Sequence, residues 1–309
     1  MTQEEQIPQV LREVFEEAAA VKDGELAAYI PQLASVDPEY FALSACDTAG
    51  NSYAVGDCGQ SFTLQSVSKV LAHACVLSHC DEEALGRRVG VEATGEDFDS
   101  IVKLDQHRRA FNPMVNTGAI VIADMLLSIY GEDALPKCLS FFASTMGVDN
   151  LDVDQAVFQS ELATGERNRA IAHLLNNFKL LDYRVEKVLE LYFNHCSLRA
   201  TTDQLACLGA TLANGGRLPE GGGCVLDPVV VRKVLSVMFS CGMYNDAGRW
   251  IYDVGLPAKS GVSGCLLVVV PGRMGIAAYS PRIDRRGTSV RGMLAVRLLS
   301  ERLNLHLFA

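Results

Sequence analysis

Hydrophobic positions along the chain recur with two different periods. Residues 4–20 place apolar side chains at helical spacing among acidic ones, which predicts an amphipathic helix. The segment YFALSACDTAGNSYAVGD (40–57) instead predicts two short strands joined at a DTAGN turn. From Ser66 to about Leu212 the pattern is mainly helical, and glycines that typically end helices stand at Gly131, Gly147 and Gly215–Gly216.

Two of the predicted helices have clear boundary signals. Thr201-Thr202-Asp203-Gln204 has the residue types of a capping box, in which the first and fourth side chains each accept from the other's backbone N–H. The helix that it opens is expected to end at Asn214–Gly215. Asp227 followed by Pro228 predicts an N-cap with proline in the first turn, and this helix is expected to end at Gly242.

The C-terminal part of the chain predicts a second hairpin and a final helix. SGVSGCLLVVVPGRMGIAAYSP (260–281) reads as two strands around a PGRMG turn, and an amphipathic helix is expected at about 288–303. Strands at both ends with helices between them indicate an α+β protein, with an antiparallel sheet flanked by helices. We expect one α/β lobe from residues 1–70 and 225–309, and an inserted, mainly helical lobe from 71–224. The two lobes should act as one unit with the active site between them.

Composition indicates a compact globular protein without a membrane-spanning segment. Hydrophobic residues make up 49% of the 309 residues and charged residues 21%, enough for a substantial core and too apolar for a disordered chain. The longest apolar run, near Leu266–Pro271, is too short to span a bilayer. The N-terminal segment MTQEEQIPQVLREVFEE is acidic and unlike a secretory signal, so we expect a cytoplasmic protein without membrane association.

Charge and cysteine content exclude several other classes of function. A net charge of −10 argues against nucleic acid as a partner, because phosphates demand a concentrated basic surface. The ten cysteines contain no C-x-x-C pair, and a cytosolic chain should keep them reduced. Cys75 and His79 have the spacing of two metal ligands on a helix, but apolar packing explains them better, and no metal is expected.

Ser66-Val67-Ser68-Lys69 is the feature that bears most directly on chemistry. A serine and a lysine three residues apart lie on one face of a helix. If a helix begins at Ser66, its hydroxyl lies at the positive end of the helix dipole, and burial there favours a neutral Lys69 amine. A neutral amine can accept the serine's proton, so the spacing predicts a nucleophile with its base.

The same spacing occurs a second time, at Ser100 and Lys103, so spacing alone does not identify a site. Ser100 lies in the charged segment GEDFDSIVKLDQHRR, which predicts an exposed stretch of surface. Ser66 instead follows the strand-like FTLQ and opens an apolar helix. For an isolated match, an ordinary helix N-cap serine is the simpler explanation, so further motifs must decide.

Two further motifs follow Ser66 in the order expected of a serine acyl-transfer enzyme. Tyr192-Phe193-Asn194 could place a phenol and an amide on one side of a cleft, and Lys259-Ser260-Gly261 opens a strand. This order is the layout of serine β-lactamases and penicillin-binding proteins. The N–H groups of Ser66 and of Val262, just past the glycine, are candidates for an oxyanion hole. Gly261 and Gly264 are expected to let a substrate approach the backbone closely.

The chain resembles one family in greater detail, the serine-dependent glutaminases of bacterial type, which have a β-lactamase/transpeptidase-like fold. The matching segments are AYIPQLA (28–34), FTLQSVSKV (62–70), NPMVNTGAI (112–120), SELATGERNRAIA (160–172), LYFNHCS (191–197), GMYNDAG (242–248) and VGLPAKSGVSG (254–264). The resemblance implies hydrolysis of L-glutamine to L-glutamate and ammonia, no cofactor, and a homo-oligomer, either a dimer or a tetramer. The chain departs from the family pattern at Thr117, at Ser263 and Cys265, and in RIDRRGTSVRG (282–292), which is richer in arginine than expected.

The resemblance also implies roles for individual residues. The catalytic residues would be Ser66 as nucleophile, Lys69 as its base, Tyr192 and Tyr244. The substrate would contact Tyr29, Gln65, Ser66, Asn116, Glu161, Asn168, Tyr192, Tyr244 and the backbone of Val262, while Lys259, Ser260 and Gly261 would support the site. One carboxylate and several neutral donors suit the ammonium and carboxylate of a free amino acid. Without the resemblance, Glu161 and Asn168 would read as a solvated pair on one helix face.

Two other functions remain open from the sequence alone. The first is another serine acyl-transfer enzyme of the same fold, a β-lactamase or a peptidase. The missing export signal argues against it, because its substrates lie outside the cytoplasm. The second is a catalytically silent protein that acts in binding or assembly. The presence of every residue of the predicted site argues against that function.

Overall fold

The computed structural model of the protein describes residues 3–94 and 104–309. Within these residues, five strands form an antiparallel sheet in the order β2-β1-β7-β6-β5, and two short strands, β3 and β4, pair separately. The strands are β1 Ala42–Asp47, β2 Ser52–Gly56, β3 Phe62–Thr63, β4 Arg199–Ala200, β5 Ala258–Ser260, β6 Cys265–Val270 and β7 Met274–Tyr279.

Helices pack on both faces of the sheet and fill the chain between β3 and β5. They are α1 Gln3–Ala19, α2 Pro31–Ala34, α3 Ser68–His79, α4 Glu82–Arg88, α5 Asn116–Tyr130, α6 Ala134–Met146, α7 Gln155–Thr164, α8 Glu166–Asn177, α9 Val185–Cys196, α10 Thr202–Ala213, α11 Pro228–Cys241, α12 Ala247–Asp253 and α13 Val290–Arg302. Short 3-10 turns lie at Gln65–Val67, Gly131–Asp133 and Tyr244–Asp246. The division into lobes at 1–70, 71–224 and 225–309 stays a prediction.

The local signals in the sequence predicted most of these boundaries. Both hairpins are confirmed, as is the capping box at Thr201, whose side chain accepts from the Gln204 N–H. Asp227 caps α11, and Gly147 ends α6 in the left-handed conformation. The last helix begins at Val290 rather than near Thr288, because Ser289 is its N-cap and accepts from the Gly292 N–H.

The sheet separates two hydrophobic cores, and β6 contributes to both. Leu266, Val268 and Val270 belong to the core that also contains side chains of α1, α12 and α13. Cys265, Leu267 and Val269 alternate with them and belong to the core on the opposite side, where α10 packs. Because helices cover both faces, β6 reads as an uninterrupted apolar run and not as an alternating strand.

The crossing of α10 over the sheet depends on a glycine. A Cβ atom on Gly275 of β7 would lie 2.2 Å from the carbonyl oxygen of Ala206 and 2.3 Å from the amide nitrogen of Ala210. Both are backbone atoms of α10, so no side-chain rotation could relieve the clash. The short distance between helix and sheet is therefore available only to glycine at this position.

Other expectations from the sequence have mixed outcomes. In 3–94 and 104–309, no helix combines the length and apolar character needed to cross a membrane. Cys75 and His79 make local contacts: the Cys75 Sγ lies 3.6 Å from the Tyr130 hydroxyl, and the His79 Nδ1 lies 2.9 Å from the Cys75 carbonyl oxygen. Ser100 and Lys103, the second serine–lysine spacing, lie outside the described residues.

Two buried histidines generate a prediction about stability in acid. Burial lowers the pKa of His73 and of His195 to about 3. The unfolded chain takes up these protons near pH 6.5, whereas the native protein does not, so the stability present above pH 6.5 is lost as the pH falls toward 3. Between pH 7 and pH 5 we expect the free energy of unfolding to fall by about 2 kcal/mol for each histidine.

Urea unfolding of the His195→Leu variant at both pH values tests this expectation. The variant should lose about 2 kcal/mol of the pH-dependent change, and His107→Gln, a substitution at an exposed position, is the control. An unaltered pH dependence in His195→Leu would contradict the prediction.

Candidate active site

A cavity of about 320 Å³ lies where the ends of several helices meet the edge of the sheet. This volume is within the range of sites for small organic ligands. The cavity is lined by Tyr29, Gln65, Ser66, Asn116, Glu161, Thr164, Gly165, Arg167, Asn168, Tyr192, Cys196, Tyr244, Val262 and Gly287. Every residue that the sequence analysis assigned to substrate contact is in this set.

Ser66 and Lys69 face each other at the cavity wall. The Lys69 Nζ donates to the Ser66 Oγ over 2.8 Å. The helix does not begin at Ser66, however. Residues 65–67 form a 3-10 turn, Gln65 has φ of 46°, and α3 starts at Ser68. A non-glycine residue in the left-handed region stores backbone strain, here directly before the serine.

Lys69 is buried and is oriented by a chain of amides. Its Nζ also donates to the Asn116 Oδ1 over 2.7 Å, and the Asn116 Nδ2 donates to the Asn168 Oδ1 over 2.9 Å. Asn116 begins α5 and Asn168 lies in the first turn of α8, so two helix starts converge on the lysine. These bonds fix which face each amide presents to the cavity.

Glu161 of α7 provides a carboxylate inside the cavity. The Tyr29 hydroxyl donates to the Glu161 Oε1 over 2.7 Å and lies 3.2 Å from the Gln65 Oε1. Burial raises the pKa of Glu161, against the opposing effects of hydrogen bonds from Tyr29 and Gln65 and of the Lys69 charge. Burial and the Glu161 carboxylate likewise raise the pKa of Tyr29, although 47% of that residue is exposed at the rim.

Tyr244 reaches the cavity from the 3-10 turn that follows α11. Its φ is 51°, a second strained residue among those that line the cavity. The Lys259 Nζ donates to the Tyr244 hydroxyl over 2.7 Å and lies 3.8 Å from the centre of its ring. Burial, followed by the charge of Lys69, lowers the pKa of Lys259 well below its ordinary value.

The strand β5 delivers the Lys-Ser-Gly motif to the back of the site. Lys259 and Ser260 are buried and lie outside the cavity wall, which Val262 reaches just beyond the strand. The expected role of the glycines is wrong. A Cβ on Gly261 would lie 2.8 Å from the Leu64 carbonyl oxygen, and one on Gly264 would lie 2.2 Å from that of Ser280. These glycines make room for the protein's own backbone.

The Tyr-x-Asn motif lies on α9, and only half of it reaches the cavity. Tyr192 lines the cavity, and burial raises the pKa of its phenol. The Asn194 Nδ2 instead donates to the Glu190 carbonyl oxygen over 2.8 Å, within the helix itself. Residues two apart on a helix point about 200° apart, so both side chains could not face one cleft.

Sequence reasoning missed five residues of the cavity wall. Cys196 lies four residues after Tyr192 on α9, so helical spacing alone could have identified it. Burial raises the pKa of its thiol to about 12. Thr164, Gly165 and Arg167 adjoin predicted residues in sequence, whereas Gly287 arrives from a distant loop with no local signal. Among the described residues, no three His, Cys, Asp or Glu side chains are grouped to hold a metal ion.

The fold and the site together define a class of protein. Serine acyl-transfer enzymes with the β-lactamase-like fold typically combine three features. These are an antiparallel sheet with helices on both faces, a serine–lysine pair at a cavity, and a Lys-Ser-Gly strand beside it, and all three are present here.

Comparison with known proteins identifies the family. The glutaminase family model matches residues 24–308. A curated glutaminase of Trichormus variabilis is 44% identical over 299 residues, which cover 97% of this chain and 89% of the relative. The glutaminase of Corynebacterium glutamicum is 40% identical over 305 residues, or 98% of this chain and 73% of that protein. The chain belongs to the glutaminase family.

Solved structures agree with this assignment. The structure of Mglu in its glutamate form has a TM-score of 0.91 and 38% identity, and the match covers 97% of this chain and 69% of that one. A probable glutaminase of Bacillus subtilis has a TM-score of 0.87 and 31% identity, with 97% and 96% of the two chains covered. The resemblance read from the sequence is confirmed, and a β-lactamase or peptidase is not favoured.

The packing at Gly261 generates a prediction about the frame of the site. In Gly261→Ala the new methyl group would also lie 2.6 Å from the Cys265 Sγ, so β5 or the segment before Ser66 must shift. We expect a loss of about 1–3 kcal/mol in the free energy of unfolding, measured in urea.

Gly59→Ala is the matched control, because a Cβ at Gly59 meets no atom within 4 Å. If both variants unfold at the same urea concentration as the unsubstituted protein, the proposed clash at Gly261 is wrong.

Proposed function

We propose that this glutaminase hydrolyses the side-chain amide of L-glutamine to L-glutamate and ammonia through an ester on Ser66. The observation that carries the proposal is the 2.8 Å hydrogen bond between the Lys69 Nζ and the Ser66 Oγ at the wall of a cavity that also contains Glu161. The serine–lysine pair supplies acyl-transfer chemistry, and the carboxylate supplies a partner for an amino group.

The amino-acid end of the substrate matches the charges of the cavity. Glu161 would pair with the α-ammonium, while the amides of Asn116 and Asn168 and the hydroxyl of Tyr192 would donate to the α-carboxylate. Buried polar groups of this kind discriminate strongly, because a ligand without the matching groups leaves them unpaired. A solved relative, Mglu, has been observed in a glutamate form, which supports a free amino acid as the ligand here.

In the acylation step, the Ser66 Oγ attacks the side-chain carbonyl carbon while Lys69 accepts the hydroxyl proton. The oxyanion would be stabilised by the N–H groups of Ser66 and Val262. As the C–N bond breaks, the leaving nitrogen takes a proton from the Tyr244 hydroxyl. The proton that Lys69 accepted from Ser66 then passes to Tyr244, which restores both groups. Ammonia departs, and the γ-glutamyl ester remains on Ser66.

In the second step, water hydrolyses the ester to release L-glutamate and restore the serine hydroxyl. Lys259 donates to Tyr244 over 2.7 Å, and its lowered pKa makes it a better proton donor to that phenol than an ordinary lysine. The role of Lys259 is therefore to support Tyr244 and not to act on Ser66. All of these steps use side chains and backbone groups of the protein itself.

We also propose that the protein acts in the cytoplasm as a homo-oligomer, either a dimer or a tetramer. Ten free thiols are compatible with a reducing compartment, and the family resemblance supports an oligomer. Light scattering after size-exclusion chromatography would measure the oligomeric state directly.

Ammonia release from L-glutamine, D-glutamine and L-asparagine tests the function. We expect turnover of L-glutamine, and no hydrolysis of a chromogenic β-lactam. Ser66→Ala should lower kcat at least ~10³-fold while retaining nearly normal glutamine binding by calorimetry, because only the nucleophile is lost.

Ser100→Ala is the matched control, since it removes the serine of the other serine–lysine spacing, and it should leave kcat unchanged. Appreciable ammonia release by Ser66→Ala, or loss of activity in Ser100→Ala, would overturn the assignment of the nucleophile.

Glu161 generates a prediction about pH. Its carboxylate must be ionised to pair with an ammonium, and its raised pKa means that protonation begins at a higher pH than in an ordinary glutamate. KM for glutamine should therefore rise as the pH falls from 7 toward 5. Glu161→Gln should raise KM about 10- to 100-fold at pH 7 and remove its pH dependence.

Steady-state kinetics across this pH range provide the measurement. Glu166→Gln, a substitution at an exposed glutamate of α8, is the control and should behave as the unsubstituted enzyme. A KM at pH 7 that is unchanged in Glu161→Gln would rule out Glu161 as the ammonium partner.

A further inference from the structure

The loop between β7 and α13 reaches the cavity and is held together by hydrogen bonds to Asp284. Gly287 of this loop lines the cavity. The Asp284 Oδ1 accepts from the N–H groups of Arg286 and Thr288 over 2.9 and 3.0 Å, and the Gly287 N–H donates to the Asp284 carbonyl oxygen over 3.0 Å. Any displacement of Arg286 would therefore move Gly287 with it.

The turn that carries Tyr244 ends at Asp246, whose side chain forms an ion pair and does not cap the next helix. Asp246 is the N-cap residue of α12, yet its side chain makes no capping hydrogen bond. The carboxylate forms an ion pair with Arg286 instead. Only 11% of the Asp246 side chain is exposed, so without Arg286 this carboxylate would lose its cationic partner at a poorly hydrated position.

The ion pair joins two segments that line the same cavity, and one of them is strained. Tyr244 holds its left-handed φ of 51° two residues before Asp246. A strained turn persists only where the surrounding structure holds it in place. The Lys259 Nζ holds the phenol end of Tyr244, while Arg286 is placed to hold the backbone end through Asp246.

We propose that Arg286 and Asp246 are positioning residues that hold Tyr244 at the reacting amide by tying its turn to the loop of Gly287. The proposal rests on the proposed function, in which Tyr244 protonates the leaving nitrogen. Tyr244 acts at the reacting amide and not at the amino-acid end, so a loss of positioning lowers kcat and leaves KM nearly unchanged. Through Arg286, the arginine-rich segment 282–292 would therefore help to position Tyr244 for the reaction.

Kinetics of charge variants test the proposal. Arg286→Gln and Asp246→Asn should each lower kcat for L-glutamine by about three- to tenfold, with KM within about twofold. Arg286→Lys should retain most of the activity, and the double variant Arg286→Asp with Asp246→Arg should recover a large part of what either single reversal loses. Arg285→Gln removes the same charge from an exposed neighbour in the same loop and should leave kcat unchanged.

Two further readouts separate positioning from a general loss of stability. In a Tyr244→Phe background, Arg286→Gln should have little additional effect on kcat, because the group that it positions is absent. Hydrogen exchange, followed by mass spectrometry without substrate, should show faster exchange at residues 244–248 in Arg286→Gln and not in Arg285→Gln.

The outcomes are distinguishable. A kcat for Arg286→Gln equal to that of Arg285→Gln, or an undiminished effect in the Tyr244→Phe background, would overturn the proposal. If the unsubstituted protein released no ammonia from L-glutamine, the proposed function would fail. The exchange measurement would still test whether Arg286 holds the turn of Tyr244 in place. Unchanged exchange at 244–248 in Arg286→Gln would overturn that part of the proposal without reference to any substrate.

Discussion

The hydrogen bonds of Lys69 are the interaction on which the rest of the site depends. A lysine that is 2% exposed is costly to bury unless its nitrogen has partners, and here the partners are the Ser66 Oγ and the Asn116 Oδ1. Each partner comes from a different segment, so α3 and α5 must pack in one relative position for the lysine to be satisfied. Glu161 and Lys259 lie close enough for their pKa values to respond to its charge. One buried amine thus couples the Ser66 hydroxyl to the groups around it.

Two residues that line the cavity have a strained backbone conformation. Gln65 and Tyr244 have φ of 46° and 51°, and neither residue type favours that region. Each such residue costs on the order of 1–3 kcal/mol, which the surrounding contacts must offset. Gln65 is buried, and its Nε2 donates to the Thr63 Oγ1, while Tyr244 receives a hydrogen bond from Lys259. The two cores on either side of the sheet provide the rigid frame that such strain requires.

Residue types at neighbouring positions predicted the boundaries of helices and strands better than they predicted contacts between distant segments. The capping box at Thr201 and the cap at Asp227 marked their helices correctly, because a cap is a contact between residues a few positions apart. The helix start considered at Ser66 differs from the observed start of α3 at Ser68. Glutamine is not a residue type that indicates a left-handed conformation, so the sequence contained no signal for the turn at Gln65. Gly261 was expected to admit substrate close to the backbone, whereas it accommodates the backbone at Leu64. That contact could not be predicted, because Leu64 is distant from Gly261 in sequence.

By itself the sequence determined the periodicity of its helices and strands, the order of three motifs and the family. Those properties reside in residue types and short spacings, which can be read without coordinates. Only the tertiary structure decided that Tyr192 enters the cavity while Asn194 does not, that Lys259 donates to Tyr244, and that Gly287 completes the wall. The physical reason is that these outcomes depend on the direction of side chains and the distance between packed segments. Both are set by the burial of two cores around one sheet.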